Sequence, residues 1–249
     1  MPDDDEPQED APEEQPEEDH IETYEESLEK GLDYESLAQA RQEVEHLDKY
    51  LNELPRDLQI PEYQKELKQE VGDMKEYNVI YPVGGNLFIH VFRRTGNPNQ
   101  YRAIEPRFTD EEQELYEEVL DKLINVAYKE PVPQDVSEMS SVFVKLLNDV
   151  VTTESQQSSL FGGSAKIEVT EDQFEKIRYF LLRNRVGYGK LEPIFLDPHL
   201  EDIHCTGVGR IEAVHGILGM VFTDVEFKDD MELNEYIKEV SERVERPAS

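Results

Sequence analysis

Between residues 78 and 104 the sequence changes to short apolar runs separated by turn signals, and this stretch limits the possible folds more than any other. Asn78-Val-Ile-Tyr-Pro-Val83 is followed by Gly84-Gly85, then Leu87-Phe-Ile-His-Val-Phe92, the turn Thr95-Gly-Asn-Pro-Asn99, and Tyr101-Arg-Ala-Ile104. Runs of four to six apolar residues bounded by Gly, Asn and Pro read as strand, turn, strand, turn, strand.

Helical spacing dominates on either side. Leu37, Ala40, Val44, Leu47, Leu51 and Leu54 recur at steps of three and four and stop at Pro55, which predicts one helix with an apolar seam. Tyr63, Leu67, Val71 and Met74 repeat the pattern, so the expectation is a helical hairpin burying its own seam. Thr109-Asp-Glu-Glu112 has capping-box spacing and an acidic first turn, and Leu115, Val119, Leu123 and Val126 follow on one face. A further helix is predicted from near Asp135, with Met139, Phe143, Leu146, Leu147 and Val150 as its apolar stripe. Thr170-Glu-Asp-Gln173 is a second capping box, opening a helix with Phe174, Ile177, Phe180 and Leu181 inside. Strands are expected near 202–206, 211–214 and 220–226, and a last helix from about 230 to 244 burying Leu233, Ile237, Val240 and Val244. The fold class is α+β. The polar stretch TTESQQSSLFGGSA suggests a linker at 152–168, separating 31–151 (helical hairpin, small sheet and helices) from 169–249.

The 58 acidic and 25 basic side chains give a net charge of -33. Nucleic acid and anionic lipid both need clustered cations, so neither is an expected partner. No stretch is long and apolar enough to span a membrane, and the first residues lack the basic leader and apolar core of a secretory signal. One cysteine, Cys205, excludes an internal disulfide. The chain reads as cytoplasmic. Residues 1–30 hold fifteen acids and one base with almost nothing apolar, so they are expected to be a disordered acidic tail. Such a tail is either a solvated extension or an arm for a basic partner. The acidity of the remainder fits a salt-rich cytosol, where the Debye length shrinks to about 3 Å at 1 M salt. Melting that does not change with salt would count against that fit.

Recognisable catalytic chemistry is absent. Gly162-Gly-Ser-Ala-Lys166 and Gly187-Tyr-Gly-Lys-Leu191 both lack the GK[ST] order of a phosphate-binding loop, and Gly207-Val-Gly209 lacks the third dinucleotide-binding glycine. His199, His204 and His215 have spacings that match no helical zinc pair, although His199 with Leu-Glu-Asp202 leaves a mixed metal site conceivable. No catalytic residue and no metal ligand is therefore assigned. The cations are more informative: Arg178, Arg183 and Arg185 cluster at the end of one helix, just before Gly187-Tyr-Gly189. A charged helix cap is one reading. The other is a guanidinium face offered to a phosphate held by a neighbouring domain.

NVIYPVGGNLFIHVF, then YRAIEPRFTDEE, VTEDQFEKIRYFLLRNRVGYGKLEPIFLDPHLEDIHCTG and GILGMVFTDVEF closely resemble the N-terminal half of archaeal type II/IV secretion ATPases, above all haloarchaeal archaellum and type IV pilus assembly ATPases. The resemblance covers residues 77 to 249. It implies an N-terminal helical subdomain followed by a PAS-like α/β domain, joined in the family to a RecA-like ATPase domain. It further implies a cytoplasmic homo-hexamer that meets a polytopic membrane platform protein. ATP and Mg would be bound mainly by the RecA-like domain, whose Walker motifs these 249 residues do not contain. Among the arginines, Arg183 and Arg178 match family positions that approach the nucleotide; Arg185 and Arg210 match less regularly. A stand-alone adaptor or regulator of the assembly machinery is the alternative expectation.

Overall fold

A computed structural model of the chain describes residues 24–153 and 166–244. Residues 1–23 of the disordered tail expected over 1–30, and the centre of the expected linker, lie outside the described residues; the rest of the expected tail is corrected, because Tyr24–Glu29 form a helix that packs on the fold. The fold is α+β.

The helices are α1 (Tyr24–Glu29), α2 (Leu37–Glu43), α3 (Glu45–Asn52), α4 (Asp110–Ala127), α5 (Val136–Val150), α6 (Glu171–Arg185), α7 (Glu192–Phe195) and α8 (Asp230–Val244). The strands are β1 (Glu62–Tyr63), β2 (Tyr77–Gly84), β3 (Leu87–Arg93), β4 (Asn99–Ile104), β5 (Val151–Thr153), β6 (Ile167–Val169), β7 (Leu200–His204), β8 (Gly209–His215) and β9 (Gly219–Phe227).

Seven strands form one sheet in the order β1-β2-β3-β4-β9-β8-β7. Two antiparallel meanders, β2-β3-β4 and β9-β8-β7, join edge to edge through the parallel pairing of β4 with β9, where Tyr101 faces Thr223. One sheet thus draws strands from both sides of residues 152–168, and that stretch does not divide it. Its ends are themselves β5 and β6, paired in parallel.

Alternation along β2 and β3 assigns side chains to the two faces of the sheet. Val79, Tyr81, Val83, Ile89 and Val91 enter one core with Ile211, Ala213, Val221 and Ile194. Ile80, Phe88 and Ile104 enter a second core, closed by Ala40, Val44, Leu47 and Leu51. With both faces covered, the strands read as nearly unbroken apolar runs. A third core lies among α4, α5 and α6, around Val119, Leu123, Leu147, Ile177 and Leu181. Both capping boxes form: Thr109 with Glu112 opens α4, and Thr170 with Gln173 opens α6.

Three further expectations need correction. The seam at 37–54 is two helices, because Val44 takes an extended conformation (φ -119°, ψ 98°). The break lets α2 and α3 lie across the sheet, and the seam is buried there and not against a second helix. Residues 63–74 supply no helix of that kind: Tyr63 pairs with Ile80 at the sheet edge, and Gln69–Asp73 is a short 3-10 turn. Edge pairing is available to them because the β2 backbone offers free groups, as in the Gln64 N–H to Ile80 O bond of 2.9 Å. Finally, Ile237 on α8 is 50% exposed; α8 meets the sheet through Leu233 and Tyr236 only in part.

Candidate functional site: a charged cleft and a nearby arginine

The first turns of α6 face the α2–α3 break, the Gly85–Asn86 turn and the segment after β4. Between them lies an open cleft of about 400 Å³, lined among others by Glu45, His46, Lys49, Arg107, Lys176 and Tyr179. Lys176 lines it and pairs with Asp172, one turn earlier on α6, at 2.7 Å and with Glu112 at 3.0 Å. Burial pulls its pKa down, but the two carboxylates outweigh that and raise it. On the opposite rim a hydrogen bond to Asp172 raises the pKa of Glu45, and the repulsion of two carboxylates adds to the effect.

Glu105 and Tyr179, which line the cleft, belong to a three-residue unit completed by Arg183 outside the lining. Tyr179 and Arg183 stand one helical turn apart on α6, and both bind Glu105 Oε2, at 2.7 Å and 2.6 Å. The guanidinium of Arg183 also lies 4.8 Å over the Phe180 ring and donates to Asn184 Oδ1 at 3.1 Å. Its side chain is 12% exposed. Burial opposes its charge, yet Glu105 and Tyr179 hold its pKa above the ordinary value. Burial and the charge of Glu105 push the Tyr179 phenol well above 10.

The four arginines singled out from the sequence do not converge. Arg178 is 8% exposed and lies 3.5 Å from Glu175, lining a smaller groove with Glu192 and Leu182. Arg183 is held by Glu105. Arg185 is exposed at the end of α6, and Arg210 is exposed on β8, in register opposite Glu226. Sequence reasoning missed Glu105, Lys176 and His46. Glu105 lies outside the helices and strands, and nothing local marks it as the partner of a side chain 78 positions away.

His90 and His215 serve the core. His90 accepts from Tyr50 Oη at Nδ1 (2.6 Å) and donates from Nε2 to Asn78 Oδ1 (2.6 Å), which fixes a neutral tautomer. His215 accepts the backbone N–H groups of Ile217 and Leu218 at Nδ1 and donates from Nε2 to Tyr81 Oη at 3.2 Å. Tyr81 in turn donates to Asp197, which also accepts from Tyr101. His46 donates to Asn86 O at 3.0 Å. His199 stacks on His215 at 5.4 Å, and His204 is exposed on β7. Among the described residues no three His, Cys, Asp or Glu side chains are grouped to hold a metal ion.

Burial lowers the pKa of His90 from 6.5 to about 3, and those of His46 and His215 to about 4. The folded chain keeps these rings neutral while the unfolded chain protonates them near 6.5. Their contribution to stability is therefore full above pH 6.5 and is lost as pH falls towards 4, where the unfolded state binds more protons. Each ring accounts for at most about 1.4 kcal/mol per pH unit in that window. The melting temperature should drop between pH 6.5 and 4, and His90→Gln should flatten the drop. A wild-type profile level over that range would mean the rings are charged in the fold.

No protein-family model matches the sequence. The uncharacterized protein MJ0900 of Methanocaldococcus jannaschii is 35% identical over 222 residues, a match covering 86% of this chain and 40% of that protein. The uncharacterized protein MJ1288 of the same organism is 26% identical over 180 residues, covering 72% of this chain and 67% of that protein. The chain thus spans about 40% of the length of the first of these relatives.

Proposed function

We propose that these residues are the N-terminal module of a secretion-type ATPase that drives archaellum or type IV pilus assembly. In this reading they pack against a RecA-like domain that holds ATP and Mg. The sheet, PAS-like in this reading, and the helices before it transmit closure of that domain to a membrane platform protein, in a cytoplasmic homo-hexamer. The observation that carries the proposal is the match of most of this chain to a minor part of a longer archaeal protein, which is how a module of a larger machine aligns. The sequence motifs at 78–112 and 169–227 add the secretion-ATPase likeness. No helix among the described residues is long and apolar enough to cross a membrane, in keeping with contact through a partner.

Within this reading the arginine roles shift. Arg185 and Arg210 have exposed side chains, whereas Arg183 would have to leave Glu105 to reach a nucleotide. That internal pairing favours a second reading, a non-catalytic adaptor or regulator of the same machinery.

ATP turnover separates the two. The 249 residues alone should show none. Added to a RecA-like domain of the family, they should raise turnover, and Arg185→Ala or Arg210→Ala should remove much of the gain, since an arginine finger contributes about 10³- to 10⁵-fold. Binding to that domain with no change in turnover, and no sensitivity to either arginine, would leave the adaptor. Turnover by the isolated chain would overturn both.

A further inference from the structure

Residues 24–31 lie across a groove that the rest of the fold shapes to receive them. Tyr24 Oη donates to the Glu192 carboxylate, the Gly85 N–H to Leu28 O (2.9 Å), and the Asn86 N–H to Lys30 O (3.2 Å). The Tyr188 N–H binds the same Glu192 carboxylate from the other side. Three glycines mark the contact. A Cβ on Gly31 (φ +80°) would sit 2.6 Å from Asn86 Oδ1, one on Gly84 (φ +101°) would collide with Leu28 O, and one on Gly187 would lie 2.5 Å from both Tyr24 Oη and Glu192 Oε2. At each point the segment approaches as closely as a bare Cα allows.

Beneath it is a groove of about 100 Å³, lined among others by Arg178, Leu182 and Glu192. Arg178 is 8% and Glu192 3% exposed. The hold on the segment is nevertheless light. α1 has six residues, too few to persist alone, and none of Tyr24, Ser27, Leu28 and Lys30 belongs to the buried core. Elements with few buried apolar contacts open at far lower free energy than the strands beside them.

We propose that residues 24–31 are a latch that lifts without unfolding the sheet and uncovers the Arg178–Glu192 groove. A lifted latch makes the Arg178 guanidinium available to an anionic group on a partner, and a closed one withholds it. That consequence rests on the module reading, in which Arg178 is a nucleotide-facing candidate; the opening of the latch does not.

Residue-resolved hydrogen exchange on the full chain tests the opening. The Gly85 and Asn86 amides should exchange at least about 100-fold faster than those of Ile89 and Val91 in β3. Tyr24→Phe should speed the first pair about tenfold more and leave the second pair and the melting temperature unchanged. Exchange of all four amides together, at rates the substitution does not alter, overturns the latch. Leu28→Ala gives a second variant with the same expectation. Labelling of arginines with phenylglyoxal reads the groove: faster modification of Arg178 in Tyr24→Phe supports the gate, and unchanged modification alongside faster amide exchange overturns it. If exchange and labelling behave as expected but Tyr24→Phe leaves turnover by an added RecA-like domain untouched, the latch stands and Arg178 loses its nucleotide-facing role, while the module reading stands or falls on Arg185 and Arg210.

Discussion

Asp197→Ala is expected to lower stability by about 3–5 kcal/mol, a fall in melting temperature of about 10 °C for a chain of this size. Asp197 is 3% exposed and accepts from the Tyr81 hydroxyl at 2.6 Å, the Tyr101 hydroxyl at 2.9 Å and the His199 N–H at 2.9 Å. Removing it leaves two phenols, each 1% exposed, without that acceptor in the middle of the sheet's main core. A buried donor left unpaired costs about 1–3 kcal/mol, and here there are two. Burial and the charge of Asp197 raise both phenols well above pKa 10, so they remain donors at any ordinary pH. Asp197→Asn keeps one acceptor oxygen and should cost about half as much. Thermal unfolding of the three proteins is the measurement. An alanine variant melting within about 2 °C of wild type would mean that water or rearrangement satisfies the phenols.

Arg183→Ala is the second large effect, about 3 kcal/mol, and it decides how far the arginine is structural. The change strands the Glu105 carboxylate, whose side chain is 24% exposed, with Tyr179 Oη as its remaining donor in this unit, and strips the face of Phe180. Glu105→Gln in the same chain should recover about 1–2 kcal/mol, because the double variant no longer holds an uncompensated charge. Denaturant unfolding of both single variants and the double variant gives the coupling. If Arg183→Ala is as stable as wild type, the pair with Glu105 holds nothing together, and the guanidinium is free to serve a partner.

These two cases show where local reading stops. Capping boxes at Thr109 and Thr170, the Asp135 cap and the strands at 77–104 and 200–227 could be read from the chain, since caps and turns act within a few residues. Residues 63–74 misled because Leu67 and Val71 have helical spacing, yet β2 offered Tyr63 a strand edge and the core took both apolar side chains. Periodicity states that a residue is buried; it does not state against what. The arginines at the end of α6 were visible as a cluster, but their fates, Arg183 on Glu105 and Arg178 in the groove with Glu192, were not.

The amino-acid sequence by itself determined the α+β class, the extreme negative charge and most element positions, because those depend on composition and on interactions within a few residues. The tertiary structure alone decided that β4 meets β9, that Asp197 gathers Tyr81 and Tyr101, and that residues 24–31 cover Arg178. Each of these joins groups at least 96 positions apart, and such a contact repays its loop-closure entropy only once the whole sheet is assembled.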